Sequence, residues 1–264
     1  MASAEIDVVD ARAAETAATA AATAAATAAA EGGPEKRAYV QRIFSDIAPR
    51  YDLLNRVLSL GIDRLWRRAA IAALGWSRRP AGAYLDLCAG TLDVSAALAS
   101  TAGFSGRVLA ADFAEPMLRS GRGKGPPNRI DPVVADALSL PMADAKCDGA
   151  IVAFGIRNVA GLDEALREVA RVLSPGARFV ILEFSTPSFA PVRAAYLFYF
   201  RQILPLIGGL VSGHATAYRY LPASVANFPD RDLLADRMRT AGFINVSWRA
   251  LTFGIAALHV GEKA

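Results

Sequence analysis

From residue 83 onward the chain alternates short, nearly all-apolar stretches with stretches whose apolar residues recur at helical spacing. "AYLDLC" precedes 93–100, "RVLAAD" precedes 115–121, "DPVVAD" and "DGAIVAF" precede 162–173, and "ARFVILEF" precedes 191–204. Strands that are apolar on both faces need cover on both faces, so the alternation predicts a mostly parallel sheet between layers of helices, an α/β fold. A helix over 231–241 leads to "NVSWRAL" and "GIAALHV", joined by so short a turn that they should close the sheet as an antiparallel hairpin.

Two regions precede this alternation. Residues 1–33 are nearly all Ala and Thr, with acids at Glu5, Asp7, Asp10 and Glu15 where a targeting peptide would be basic; they are expected to form a disordered or weakly helical tail. The rest, 34–264, suits one domain. Within 39–76, Val40, Ile43, Phe44 and Ile47, then Leu53, Leu54, Val57 and Leu58, then Leu65, Trp66 and Ala69 describe short amphipathic helices. Pro49 and Gly61 separate them, and 34–80 is expected to be an N-terminal helical cover.

Composition excludes several classes. The net charge of +4 comes from scattered arginines without a lysine-rich stripe or aromatic interleaving, which argues against nucleic acid. Cys88 and Cys147 are too few for a disulfide framework, and with His214 and His259 they give no metal-ligand spacing; a reducing, cytoplasmic compartment is expected.

In open parallel sheets ligands lie at the carboxyl ends of strands. The first such end is "LDLCAGTLD", whose small residues let backbone N–H groups approach a ligand at a helix N-terminus. Neither G-x-G-x-x-G nor a phosphate-loop lysine is present. Instead the strand ends carry acids: Asp86 within the first turn, Asp112 after the second strand and Asp136 after the third. Asp112 suits ribose hydroxyls and Asp136 an adenine amino group, and carboxylates favour a cationic ligand without phosphates, such as S-adenosylmethionine. Either acid alone is equally well explained as a helix cap or turn residue.

These stretches, with "IFSDIAPRYDLLNRVLSLGIDRLWRR", "ADALSLP", "FGIRNV", "EVARVLSPGARFVILEFS" and "AYRYLPASVANFP", resemble the C-methyltransferases of ubiquinone and menaquinone biosynthesis from about Tyr39 to Gly261. The resemblance implies a class I, Rossmann-like methyltransferase fold with a seven-stranded sheet and a reversed last strand. It implies cofactor contacts from Gly90, Thr91, Asp112, Asp136 and Ala137, and Asp86 in the first turn is expected to join them. The chain departs from the family pattern at Ala89 and Leu92, where glycines are usual, at Ala153 for a serine, and at His214 for an aspartate.

The implied reaction is methylation of a ring carbon of a prenylated hydroquinone. Carbon becomes nucleophilic only once a ring hydroxyl loses its proton, so the site must stabilise a phenolate beside the methyl group. Arg157 in "FGIRNV" can hold that oxygen by charge-assisted hydrogen bonds, and Asn158 can orient a water or second oxygen. An arginine keeps its proton, so Tyr51, Asp52, His214 or a water must relay the substrate's. The purely structural reading pairs Arg157 with Asp163 or Glu164.

An isoprenoid tail needs an apolar surface. The stretch 194–211, rich in aromatics and broken by Pro205 and Gly208, is too interrupted to span a membrane; it fits a lid over 185–229, a helix packed on the sheet or a dimer interface equally well. As a lid it places Tyr196, Tyr199, His214 and Tyr218 against the substrate and brings the protein peripherally to the inner membrane face. Glu183 in "LEFS" reads as a capping or paired acid. Demethylmenaquinol is slightly preferred over the benzoquinol because the cysteine in the turn resembles the menaquinone members. An O- or N-methyltransferase, or a cofactor-binding protein without activity, stays open.

Overall fold

The computed structural model describes residues 34–203 and 215–264; the Ala/Thr-rich segment 1–33 and His214 lie outside them. In chain order come α1 (Pro34–Ile47), α2 (Tyr51–Ser59), α3 (Asp63–Leu74), β1 (Ala83–Leu87), α4 (Asp93–Ala99), β2 (Arg107–Asp112), α5 (Glu115–Ser120) and β3 (Ile130–Val134). β4 (Cys147–Ala153), α6 (Leu162–Val172), β5 (Leu173–Phe184), α7 (Ala190–Phe198), α8 (Ala215–Ala226), α9 (Arg231–Thr240), β6 (Phe243–Leu251) and β7 (Ala256–Lys263) follow.

The strands form one seven-stranded sheet in the order β3-β2-β1-β4-β5-β7-β6. β1 to β5 pair in parallel, and β7 runs antiparallel to both β5 and β6. This is the seven-stranded, mostly parallel sheet with a reversed C-terminal pair. Side-chain alternation splits the apolar runs between two cores. Leu85, Leu87, Phe179 and Ile181 pack with α6 and α9 through Leu166, Val169, Leu234 and Met238. Tyr84, Val108, Ile151, Val180 and Leu182 pack on the other face with α3 and α4 through Trp66, Ile71, Leu74 and Leu98. Burial on both faces is why these strands read as unbroken apolar runs.

Several boundaries differ from the sequence reading. α6 ends at Val172 and β5 begins at once at Leu173, so Pro175 and Gly176 lie inside the strand, near a register shift opposite Cys147–Gly149, and not before it. α7 stops at Phe198 and continues as a π-helical turn, Tyr199–Ile203, where one regular helix is expected over 191–204. The N-terminal segment also divides its work. α3 belongs to the sheet's core through Trp66, Ala70, Ile71 and Leu74, while α1 and the turn after it meet α5 and the strand ends.

Candidate active site

The carboxyl ends of β1, β2 and β4 open into two adjoining clefts. The first encloses about 60 Å³ and is lined by Cys88, Gly90, Asp112, Asp136, Ala137 and Asn158. The turn after β1 takes left-handed backbone at Cys88 (φ 53°), Gly90 (φ 53°) and Leu92 (φ 66°). A leucine there costs about 1 kcal/mol relative to glycine. Its side chain is buried against Ala89, Ala110 and Leu118, a contact glycine lacks, which explains how the turn keeps its shape without that glycine.

Asp112, at the end of β2, is held from two sides. Its Oδ2 accepts the Gly90 N–H at 2.9 Å and its Oδ1 the Ala114 N–H at 2.8 Å. Burial pushes its pKa above the usual carboxylate range, against the pull of those two N–H groups. Asp136 lies two residues beyond β3; its Oδ1 accepts the Leu138 N–H at 3.0 Å, and Arg37 of α1 reaches across to its Oδ2 at 3.1 Å. The Asn158 Oδ1 is buried without a partner among the described residues.

Two expected cofactor residues stand behind the cleft and do not line it. Asp86 lies on β1, not in the turn, and faces α4, where Ser95 Oγ donates to its Oδ2 at 2.6 Å. Burial pushes its carboxyl up to about 7. Thr91 is buried, and its Oγ1 donates to Asp52 Oδ1 at 2.5 Å. Lys124 Nζ lies 2.5 Å from both Asp52 and Asp93, so this cluster ties α2 to the turn and to the start of α4. Burial alone would raise the Asp52 carboxyl, but the Lys124 and Thr91 hydrogen bonds bring it below its ordinary value.

The second cleft is larger, about 280 Å³, and mostly aromatic, with Trp66, Phe184, Tyr196, Tyr199, Phe200 and Tyr220 on its walls. Tyr51, Phe44 and Phe154 line both clefts and form their junction. The Tyr196 and Tyr220 hydroxyls are buried without partners among the described residues, and burial pushes Tyr220 up to about 12.

Arg157 lines this second cleft, while its neighbour Asn158 lines the first. Both sit on a 3-10 turn, Ile156–Asn158, directly after β4. Arg157 Nη1 donates to Glu183 Oε1 at 2.6 Å and to the Phe154 carbonyl at 2.5 Å, and Nε reaches Ser224 Oγ at 3.4 Å. Its guanidinium carbon lies 5.4 Å from the Phe184 ring centroid, and Lys36 Nζ donates to its carbonyl at 2.9 Å. The alternative pairing with Asp163 or Glu164, which a purely structural role would have given, does not form. Asp163 instead meets Arg237 at 3.3 Å and Glu164 meets Arg167 at 3.4 Å, because the turn aims Arg157 back toward β5.

Residues 33–263 match the family model described as the ubiE/COQ5 methyltransferase family. The chain belongs to that family. The ubiquinone/menaquinone biosynthesis C-methyltransferase UbiE of Geobacter sulfurreducens is 45% identical over 233 residues, 87% of this chain and 90% of that protein. The demethylmenaquinone methyltransferase of Thermus thermophilus is 46% identical over 223 residues, 84% of this chain and all of its own length (100%). Among solved structures, a SAM-dependent methyltransferase of Thermotoga maritima superposes with TM-score 0.59 at 18% identity, covering 85% of this chain and 100% of that one. The [4+2]-cyclase SpnF superposes with TM-score 0.60 at 15% identity, covering 85% and 94%. The fold is therefore the class I methyltransferase fold.

Of the family positions singled out in the sequence, Gly90, Asp112, Asp136 and Ala137 meet in one cleft, and Arg157, Tyr51, Tyr196 and Tyr199 meet in the other. His214 and the Tyr218 side chain lie outside the described residues. Sequence reasoning missed Arg37, Lys124 and Tyr220. Only Tyr220 left a signal, being the second tyrosine of "AYRYL"; the two cations act across 31 to 99 residues of chain, which no local pattern records.

Proposed function

We propose that this protein transfers a methyl group from S-adenosylmethionine to a ring carbon of a prenylated hydroquinol in menaquinone or ubiquinone biosynthesis, demethylmenaquinol being preferred. The observation that carries this reading is the junction at Phe44, Tyr51 and Phe154, where a cleft with two carboxylates meets an aromatic cleft walled in part by the buried Arg157. The first cleft's donor set suits this cofactor: carboxylates for hydroxyl and amino groups, and an orphaned Asn158 oxygen for an ammonium. Bound there, S-adenosylmethionine supplies the electrophilic methyl group.

The chain's own residues do the rest. Asp112 takes the ribose hydroxyls, Asp136 and Ala137 the adenine, and Gly90 leaves room for the backbone to approach. Asp86 and Thr91 support the turn from behind. In the second cleft Arg157 holds the ring oxygen as its proton leaves, in a low-dielectric wall where a charge-assisted bond is strong. Tyr51 stands at the junction, where a hydroxyl can orient the ring. The hydroxyls of Tyr196 and Tyr220, without partners among the described residues, offer hydrogen bonds to ring oxygens, and the aromatic walls take the tail.

The helices α1 and α2 on one side and α7 and α8 on the other act as the two halves of a cover over one domain. Exposed Leu53, Leu60, Phe189, Phe198 and Phe253 give this end of the molecule an apolar face for peripheral membrane contact. Among the described residues no helix is long and apolar enough to cross a membrane.

The test is release of S-adenosylhomocysteine from purified protein offered hydroquinols, catechols and amines. Release with hydroquinols alone is expected; release with amines alone, or with none, overturns the reading.

A further inference from the structure

Methylation of a hydroquinol liberates one proton per turnover. A ring O–H bond breaks and its electron pair drives carbon–carbon bond formation; the C–H bond at the methylated carbon then breaks to restore the aromatic ring, with one oxygen reprotonated and one proton left over. Among the described residues the aromatic cleft offers no ready base for it. Burial raises the pKa of both Tyr196 and Tyr220, so neither is a ready base, and Asp63 is already held by Ser59 at 2.8 Å and Arg67 at 3.4 Å.

Behind Arg157 the situation differs. Glu183 Oε1 is shared by Arg157 Nη1 and the Phe184 N–H at 2.8 Å, while Oε2 has only a long contact, 3.5 Å, from the Arg157 N–H. Glu183 also lines a third cavity, of about 190 Å³, together with His259, Ser185, Thr186, Asp230 and Arg231. That volume holds several waters. His259 comes from β7, two residues along the same face from Ala257, the partner of Glu183 in the β5–β7 ladder. The Arg231 carbonyl lies 2.9 Å from His259 Nε2, and a carbonyl only accepts, so Nε2 carries the hydrogen. Its Nδ1 is therefore a lone pair, and it is buried without a partner among the described residues.

We propose that Glu183 and the cavity it shares with His259 form the exit by which the reaction's proton leaves the site. This rests on the hydroquinol reading. The proton passes from the ring hydroxyl through a water to Glu183 Oε2 and on to water of the cavity; His259, whose Nε2–H is held by the Arg231 carbonyl, takes a proton at Nδ1 and returns it there to water that leads to solvent, and the electron pair of the broken O–H bond stays on the ring oxygen beside Arg157 until the ring attacks the methyl group. Both relays suit transit over storage. Desolvation raises the Glu183 pKa against the pull of Arg157, so its carboxylate accepts a proton readily, and burial lowers that of His259, so its imidazolium gives one up. Arg157, Cys88, Tyr196 and Tyr220 are the other titratable or charged groups around Glu183, and Asp230, Arg231 and Asp232 those around His259.

Glu183→Gln retains an oxygen for Arg157 and Phe184 but takes no proton; His259→Phe removes the far relay without touching the ion pair. The kcat–pH profile and solvent deuterium isotope effect are measured for both variants and the wild type on reduced demethylmenaquinone, with melting temperature and cofactor Kd as controls of folding. The proposal expects kcat to fall on the order of 100-fold in Glu183→Gln with the rising limb of the pH profile gone. It expects a smaller fall and a larger isotope effect in His259→Phe, restored by added imidazole, with cofactor Kd unchanged. Wild-type profiles and isotope effects in both folded variants overturn the exit alone. Absence of wild-type turnover on every hydroquinol overturns the reading beneath it, and the exit with it.

Discussion

The guanidinium of Arg157 and the carboxylate of Glu183 meet at 2.6 Å with side chains only 7% and 2% exposed, 26 residues apart in sequence. Adjacent parallel strands bring them together: β4 and β5 pair with Ala153 opposite Leu182, so the turn after one strand faces the last residues of the other. The pair fixes the arginine at the wall of the aromatic cleft.

Arg157→Lys keeps the charge but loses the planar fork that spans Glu183, the Phe154 carbonyl and Ser224. Steady-state kinetics should show kcat reduced on the order of 10²–10³-fold, the range for losing one donor to a developing oxyanion. Cofactor Kd should stay within about twofold of wild type, since Arg157 does not line the cofactor cleft. Equal losses in both would place Arg157 in cofactor binding instead.

Asp112→Asn leaves one of the Gly90 and Ala114 N–H groups facing an amide N–H and weakens any hydroxyl contact. Charged hydrogen bonds of this kind contribute about 1.5–3 kcal/mol, so calorimetry should report cofactor affinity lowered roughly 10- to 150-fold. An unchanged affinity would mean that Asp112 serves only the turn.

Arg37 spans the cofactor cleft to reach Asp136, on which the adenine is proposed to depend. The Arg37 side chain is mostly exposed, so the ion pair itself is worth at most about 1 kcal/mol. Arg37→Ala should therefore tighten cofactor binding by up to about fivefold and leave kcat unaltered. Weakened binding would show that Arg37 contacts the cofactor.

Asp86 sets a pH dependence of stability. Its carboxyl is pushed up to about 7 in the folded protein by burial, against about 3.9 in the unfolded chain. Between those values the folded state binds the extra proton, so the contribution of Asp86 to stability is greatest below about pH 4 and falls as pH rises to about 7, by roughly 4 kcal/mol, opposite in sign to those of Asp52, Glu168 and Glu262. Denaturant titrations across that range should show this slope in the wild type and a flatter one in Asp86→Asn. An identical slope in the variant would assign the effect elsewhere.

The layered sheet was legible because burial on both faces writes itself as apolar runs, and Asp112 and Arg157 were legible because they directly follow such runs. What escaped was set by tertiary register. Arg157 has acids nearby at Asp163 and Glu164, yet its partner is Glu183, a choice made by strand pairing and not by sequence distance. Asp86 resembled a cleft residue because it stands two positions before the turn, but strand alternation sends its side chain to the α4 face, onto Ser95. Lys124 and Arg37 lie in segments without motif character, and their roles depend on helices folding over the strand ends.

The most direct measurement of the central claim uses methyl-labelled S-adenosylmethionine with reduced demethylmenaquinone and, separately, the demethylated benzoquinol, locating the label in the product by mass spectrometry and NMR. The account predicts label on a ring carbon, with turnover greater on demethylmenaquinol. Label on oxygen, or no labelled quinol although the protein binds its cofactor, would contradict it.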